Sequence, residues 1–360
     1  MNRSRYIYIV LLLSLLTSCA SSQRMKGSVD LGQWIQPVPR HAVLEHEDYW
    51  VWGASMTQTD DGVCHLFYSR WPKSGPFSDW LYHSEIAYAT SKNPGGPYTF
   101  KKVILKDGQS GKWGHGMAHN PHIRKFGDKY FLYFISTENV DASMANDRQR
   151  RTFAQRIGVA VADAPDQEWR VVDTPIVGIQ AGKAAHGYVT NPSVCQRPDG
   201  SFLMIFKSRP ANWATFKKFT SIQCVATAPS PAGPFTIAEK PILADATAED
   251  PFLFFWRNAY YAILDDQYGD YSGEHGLVLF RSDDGFNWKP SANARVAGLN
   301  LKWQDTGTTQ LKHLERPQLW MNKKNEPAIL FCAAMTEDEK GVQRSFNVHI
   351  PLKNIDKRAK

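Results

Sequence analysis

Along this chain of 360 residues, apolar and aromatic positions come in short runs broken by Gly, Pro, Asn and Asp. No stretch of useful length shows the 3.6-residue recurrence of an amphipathic helix, so the pattern reads as strands and turns. Five runs follow a turn signal in the same way: 63–69 after Asp61-Gly62, 130–136 after Gly127-Asp128, 202–207 after Asp199-Gly200, 260–265 after Asn258, and 328–333 after Asn325. Upstream of each lies another strand. Four of these open with a residue followed by proline, at Asn120-Pro121, Asn191-Pro192, Asp250-Pro251 and Arg316-Pro317, and the first has Gly53-Ala54 instead. Downstream lies a third strand, at 85–89, 157–160, 224–227, 277–280 and 346–350. A weaker fourth follows the first three of the turns beyond, as at 101–105 and 171–176.

A four-strand unit returning at roughly 60 residues predicts propeller blades. The expected architecture is all-β: one five-bladed β-propeller over residues 30–360, about four antiparallel strands per blade, negligible helix and no second domain. A β-sandwich is the alternative, but it has no reason to repeat the residues that open its strands.

In a propeller the innermost strands line the axis, so the residues that open them meet at one end. That set is Gly53, Asn120, Asn191, Asp250 and Arg316, preceded by Trp52, His119, Thr190, Glu249 and Glu315. The second strands run back to the same face and add Arg70, Trp71, Thr137, Lys207, Arg209, Asp265 and Asp266. Loops beyond them bring Trp80, Tyr82, His83, Trp213 and Tyr268, and third strands begin near Glu85 and His275.

Such a mouth combines carboxylates, a histidine, cations and aromatic rings. Glycosidic cleavage needs a carboxylic acid to protonate the leaving oxygen and a second carboxylate to activate water or attack the sugar. Aromatic faces and polar side chains suit sugar rings and hydroxyls. Glu249, Asp250 and Glu315 are the expected catalytic groups, because neighbouring blades should bring them together and crowding of like charge raises a pKa. The expected substrate-binding set is Trp52, Arg70, Glu85, His119, Asn120, Asn191, Lys207, Asp265, Asp266 and Arg316. Structural readings stand beside these: Glu249 and Asp250 as strand-opening caps, Glu315 and Arg316 as an ion pair within blade five, Asp265-Asp266 as a solvated loop end, and His119 as a core histidine.

The pattern resembles the five-bladed propeller glycosidases: family 43 and its relatives, including the family 117 anhydrogalactosidases and the invertase-like families. The likeness spans nearly all of the chain after its leader. It is carried by His119-Asn120-Pro121, Asn191-Pro192-Ser193, Glu249-Asp250-Pro251, Asp265-Asp266, Ser282-Asp283-Asp284-Gly285 and Glu315-Arg316-Pro317-Gln318. It implies a glycosidase acting on oligosaccharide, with acids on the first, a middle and a later blade. This chain departs from that pattern, with Gly53 on the first blade and Asn191 on the third. A glycan-binding lipoprotein without turnover is therefore the second reading. Arg70, Lys207, Arg209 and Arg316 suggest an anionic sugar, since guanidinium forks suit sulfate and carboxylate. Some relatives hold a cation such as calcium in the channel, but no dedicated ligand loop is present and no cofactor is expected.

The N-terminus sets the expected address. Arg3 and Arg5 precede an apolar run from 7 to 16, too short to span a bilayer, which ends in Leu16-Thr17-Ser18-Cys19. This resembles the lipobox of bacterial lipoproteins, which implies a signal peptide at 1–18, acylation of Cys19, a tether over 19–29, and anchoring in the cell envelope, with Ala20 favouring the outer membrane. The formal net charge of +7 contains no basic run of the kind that binds nucleic acid. Cys64, Cys195, Cys224 and Cys332 lie in apolar stretches without metal spacing and are expected as free, buried thiols.

Overall fold

The computed structural model describes residues 29–106, 113–138, 146–211 and 221–353. They form five four-stranded antiparallel sheets. Blade one contains Tyr49–Gln58, Cys64–Pro72, Glu85–Ser91 and Thr99–Leu105, and blade two His115–Phe126, Lys129–Thr137, Gln155–Ala162 and Arg170–Val171. Blade three contains His186–Gln196, Phe202–Arg209, Ile222–Ala228 and Thr236–Ile237, and blade four Glu249–Trp256, Ala259–Asp266, Gly276–Ser282 and Lys289–Gly298. The five-bladed expectation is met, and blade four has an outer strand that the turn pattern did not mark.

Blade five closes the ring with strands from both ends of the chain. His313–Met321, Pro327–Glu337 and Gln343–Pro351 are joined by Val43–Leu44, with Val43 opposite Val348 and Leu44 opposite Asn347. The segment leading there is held by burial: Leu31, Trp34, Val38 and Ala42 enter the core shared by blades four and five. Trp34 meets Trp256 edge to face at 6.3 Å. Val29, the last residue of the expected tether, is buried in the same core. Adjacent blades pack through apolar faces, and all four cysteines beyond the leader are free and buried.

One irregularity recurs in every blade and shapes the axis. The inner strands shift register between Trp52 and Ala54, His119 and His122, Thr190 and Ser193, Glu249 and Phe252, and Glu315 and Gln318. At each bulge one residue takes a left-handed backbone: Gly53 (φ 36°), Asn120 (53°), Asn191 (55°), Asp250 (54°) and Arg316 (53°). For non-glycine residues this conformation is costly and persists only where its surroundings enforce it. Part of that enforcement comes from serines, which accept N–H groups of the next blade that the bulge removes from the ladder. Ser69 Oγ accepts from Asn120 N at 2.8 Å, Ser55 Oγ from Ile123 N at 3.0 Å, and Ser193 Oγ from Leu253 N at 2.8 Å.

Candidate active site

The five bulge residues meet on the axis and their side chains form a chain of contacts. Asn120 Nδ2 donates to Asn191 Oδ1 at 2.9 Å, Asn191 Nδ2 donates to Asp250 Oδ1, and Arg316 Nη1 donates to the same oxygen at 3.4 Å. A carboxylate only accepts, so Asp250 sets the direction of both amides. The expected ion pair of Glu315 with Arg316 is not formed; Arg316 pairs with Asp250 across blades. Gly53 completes the circle by having no side chain. A Cβ there would lie 3.1 Å from Asn120 Oδ1 and 3.4 Å from Arg316 Cγ, so the first-blade position is filled by its neighbours.

Above this floor opens a cavity of about 360 Å³. One wall is aromatic: Trp52, Trp71, Phe77 and Trp80, with Trp80 stacked on the His119 ring at 4.7 Å. His119 Nδ1 lies 2.7 Å from Ser84 Oγ, and burial, with Arg316 and Lys207 near, holds its pKa well below the usual histidine value. The imidazole is therefore neutral, a hydrogen-bonding group rather than a charge. The facing wall carries Tyr188, Lys207 and Arg209 from blade three, and Arg148, Thr152 and Gln155. Arg148 and Thr152 sit on the helix Asp147–Phe153, capped by Asn146, whose side chain accepts from Gln149 N. Sequence periodicity cannot reveal a helix of seven residues; its signals are the Asn146 cap, Asp147 in the first turn and Arg150 and Arg151 in the last.

Among the described residues, three carboxylates line this cavity: Glu249, Asp250 and Glu315. Glu249 is buried, and Lys207 Nζ donates to its Oε2 at 2.7 Å. Burial raises the Glu249 pKa, the Lys207 ammonium opposes the rise, and Asp250 and Glu315 add to it. Its Oε1 is buried with no hydrogen-bond partner, as are Asn120 Oδ1, Thr190 Oγ1 and Arg316 Nε and Nη2. Glu315 Oε1 lies 2.8 Å from His313 Nδ1.

Several expected residues lie elsewhere. Arg70 and Glu85 do not line the cavity: they face each other across strands of blade one, Arg70 Nε 2.8 Å from Glu85 Oε1, with the guanidinium over Tyr49 and Phe100. Tyr82 and His83 sit with Glu85 at a separate shallow depression. Asp265 and Asp266 are fully buried rather than a solvated loop end. Asp265 Oδ1 is 3.2 Å from His275 Nε2, and burial with Glu315, Asp250 and Glu249 nearby raises its pKa strongly. Asp266 Oδ2 caps the following loop, accepting from Tyr271 N at 3.0 Å and Ser272 N at 2.8 Å. Trp213 and Cys19 lie outside the described residues.

A channel cation does not fit the residues that line the axis. His122, a buried imidazole on the inner strand of blade two, uses both ring nitrogens: Nδ1 faces Gln318 Oε1 at 2.9 Å, and Nε2 accepts from Val194 N at 3.1 Å. Two residues further along the strand lies the cation Arg124, and among the described residues no three His, Cys, Asp or Glu side chains converge as metal ligands.

No family model matches the chain, and no curated protein does. Solved structures do match. A thermostable family 43 glycoside hydrolase superposes with a TM-score of 0.61 at 11% identity, covering 90% of this chain and 94% of its own. Zg3597, a family 117 glycoside hydrolase of the marine bacterium Zobellia galactanivorans, gives 0.62 at 15%, covering 87% and 88%. A family 43 enzyme of Xanthomonas citri complexed with xylotriose gives 0.54 at 15%, covering 87% and 94%. At these identities the likeness is one of fold: the chain has the five-bladed propeller of family 43 and family 117 glycoside hydrolases.

Proposed function

We propose that the protein is a glycoside hydrolase that takes the end of an oligosaccharide into the axial cavity. One observation carries this reading: three carboxylates, an aromatic wall and several buried polar atoms without partners converge on one cavity. Unsatisfied buried groups call for a partner, and a sugar supplies many hydroxyls beside apolar C–H faces. Glu249 is the general acid. Burial pushes its pKa upward against the pull of Lys207, the direction a general acid needs, and its proton passes to the glycosidic oxygen as the bond to the anomeric carbon breaks. Glu315, the other lining carboxylate outside the axial chain of contacts, takes the proton of the attacking water. Asp250 orients the floor through Asn191 and Arg316. A cavity floored by that network suits a chain end, which supports exo-action, and Lys207, Arg209 and Arg148 on its wall support an anionic sugar. Turnover and binding measured side by side on aryl glycosides and on neutral, uronic and sulfated oligosaccharides test the reading.

A second reading, binding without turnover, is favoured by one feature: Gly53 replaces the first-blade acid of the resembled family, and Asn120 and Arg316 fill its place. Saturable binding with no product from any member of that panel would select it.

Lys207 offers a pH test of the acid. Its ammonium, 2.7 Å from Glu249 Oε2, favours the carboxylate and so lowers the Glu249 pKa below what burial alone would set. In Lys207→Met that opposition is gone and Glu249 holds its proton to higher pH. The alkaline limb of kcat/KM should therefore move upward by about one pH unit, as loss of a close opposite charge implies. An unmoved limb, or one shifted to lower pH, removes Glu249 from the acid role.

The leader supports a lipid anchor at Cys19 and a place in the cell envelope, favouring the outer membrane. Cys19→Ala should shift the protein from the membrane fraction to the soluble fraction. Tight membrane association of that variant would rule the anchor out.

A further inference from the structure

The inner strands end at a second mouth, on the far side of the propeller from the axial cavity. A depression of about 430 Å³ opens there, with walls that include Phe254, Leu319, Trp320 and Met321. Its lining contains Arg124 and Lys125 and no Asp or Glu. Arg124 is half-buried: Nε donates to Val194 O at 3.0 Å, Nη2 donates to Leu253 O at 2.7 Å, and the guanidinium lies 5.0 Å from the centre of the Phe252 ring. It forms no ion pair with a carboxylate among the described residues, and the nearby thiol of Cys195 and phenol of Tyr133, whose pKa values burial raises, bring no negative charge at ordinary pH. His122 beside it brings no compensation, since burial, then Arg124, pushes its pKa down to about 3. Two carbonyl dipoles solvate the guanidinium in part, and no carboxylate among the described residues neutralises it.

We propose that this far mouth binds a small organic carboxylate with an apolar body. The two carbonyls take Nε and Nη2 and leave Nη1 to meet an incoming oxygen, while Phe255, Trp320 and Met321 receive the hydrocarbon. Arg124 and Lys125 bring positive charge to this mouth with no Asp or Glu in its lining, which suits a carboxylate head group. Chloride would fill a small fraction of the depression and leave the aromatic walls uncovered. The far-side position keeps the ligand away from the sugar cavity, so it binds without competing with substrate.

Benzoate, benzyl alcohol and benzamidine share one body and differ in charge, and titration calorimetry on the whole protein reads all three. Benzoate should bind saturably and at least about tenfold more tightly than benzyl alcohol, the usual advantage of a charge-assisted contact. Benzamidine should not bind. Arg124→Gln should weaken benzoate at least tenfold with benzyl alcohol unchanged. Should that variant fail to fold, crystals of the wild-type protein soaked in 4-iodobenzoate decide the matter. An anomalous iodine peak beside Trp320 and Met321, with the carboxylate at hydrogen-bond distance from Arg124, supports the site. Equal binding of benzoate and benzyl alcohol, or iodine only at other positions, overturns it.

Discussion

Glu249→Gln should leave a folded propeller whose turnover on its identified substrate falls by more than about a hundredfold, the least that proton transfer by a positioned acid contributes. The amide keeps the shape of the side chain and can still accept from Lys207, which now holds Oε2 at 2.7 Å. The proton that Glu249 would deliver is lost. KM should change much less than kcat, because a group needed for the proton acts in the transition state rather than in ground-state binding. An aryl glycoside with a good leaving group needs little protonation, so the variant should recover most of its rate on such a substrate. If Glu249→Gln stays folded and within a fewfold of wild type on a poor leaving group, Glu249 is not the acid. Glu315→Gln then becomes the deciding variant, since Glu315 is the remaining lining carboxylate outside the axial chain of contacts.

The largest expected effect on stability belongs to Arg316. Arg316→Met should destabilise the fold by about 3–5 kcal/mol, the range for breaking a buried pair and stranding one partner. Asp250 would be that partner. It is 5% exposed, and apart from Arg316 it is held by Asn191. The same change keeps Cγ over Gly53 but loses Nε and the guanidinium, which leaves a small void at the axis. Adding Asp250→Asn should return part of the loss, because the stranded charge goes and an amide can still accept from Asn191. Urea unfolding of the two single variants and the double variant gives the coupling, expected at about 1–3 kcal/mol. Additive effects would mean that the 3.4 Å contact is a bystander in the packing.

Gly53 ties that stability to the question of function. Its φ of 36° and the closeness of Asn120 and Arg316 put any side chain at the first-blade position under strain, so an aspartate introduced there has to displace them. If the protein turns over sugar, it does so with carboxylates of blades four and five.

Much of this arrangement is legible from the residues. Proline removes a ladder donor and steers the residue before it away from the right-handed helical region. Four residue-proline steps and one glycine at the same place in each repeat therefore mark the bulges, and hence the blade number and the floor of the cavity. The mixture of acids, cations and rings at that end follows from counting positions along strands that all start at one mouth. Neither Tyr188 nor the helix Asp147–Phe153 could be found that way. Tyr188 sits just before the bulge in a strand of many apolar residues, and the helix is shorter than any periodic signal.

Pairing between elements is not written in any local pattern. Glu315 and Arg316 are neighbours in the chain and look like an ion pair, but successive strand residues point to opposite sides, so Arg316 reaches the axis and meets Asp250 of blade four. The same alternation sends Asp265 towards His275 and Asp266 into its own loop. Blade five needs a fourth strand, and Val43–Leu44 supplies it from the other end of the chain, a choice made by the burial of Trp34, Val38 and Ala42 rather than by the two-residue strand itself. Local chemistry is thus sufficient to call for five blades and a polar mouth. Which charges neutralise one another, and which carboxylates remain facing the cavity, depend on contacts across blades that exist only once the ring has closed.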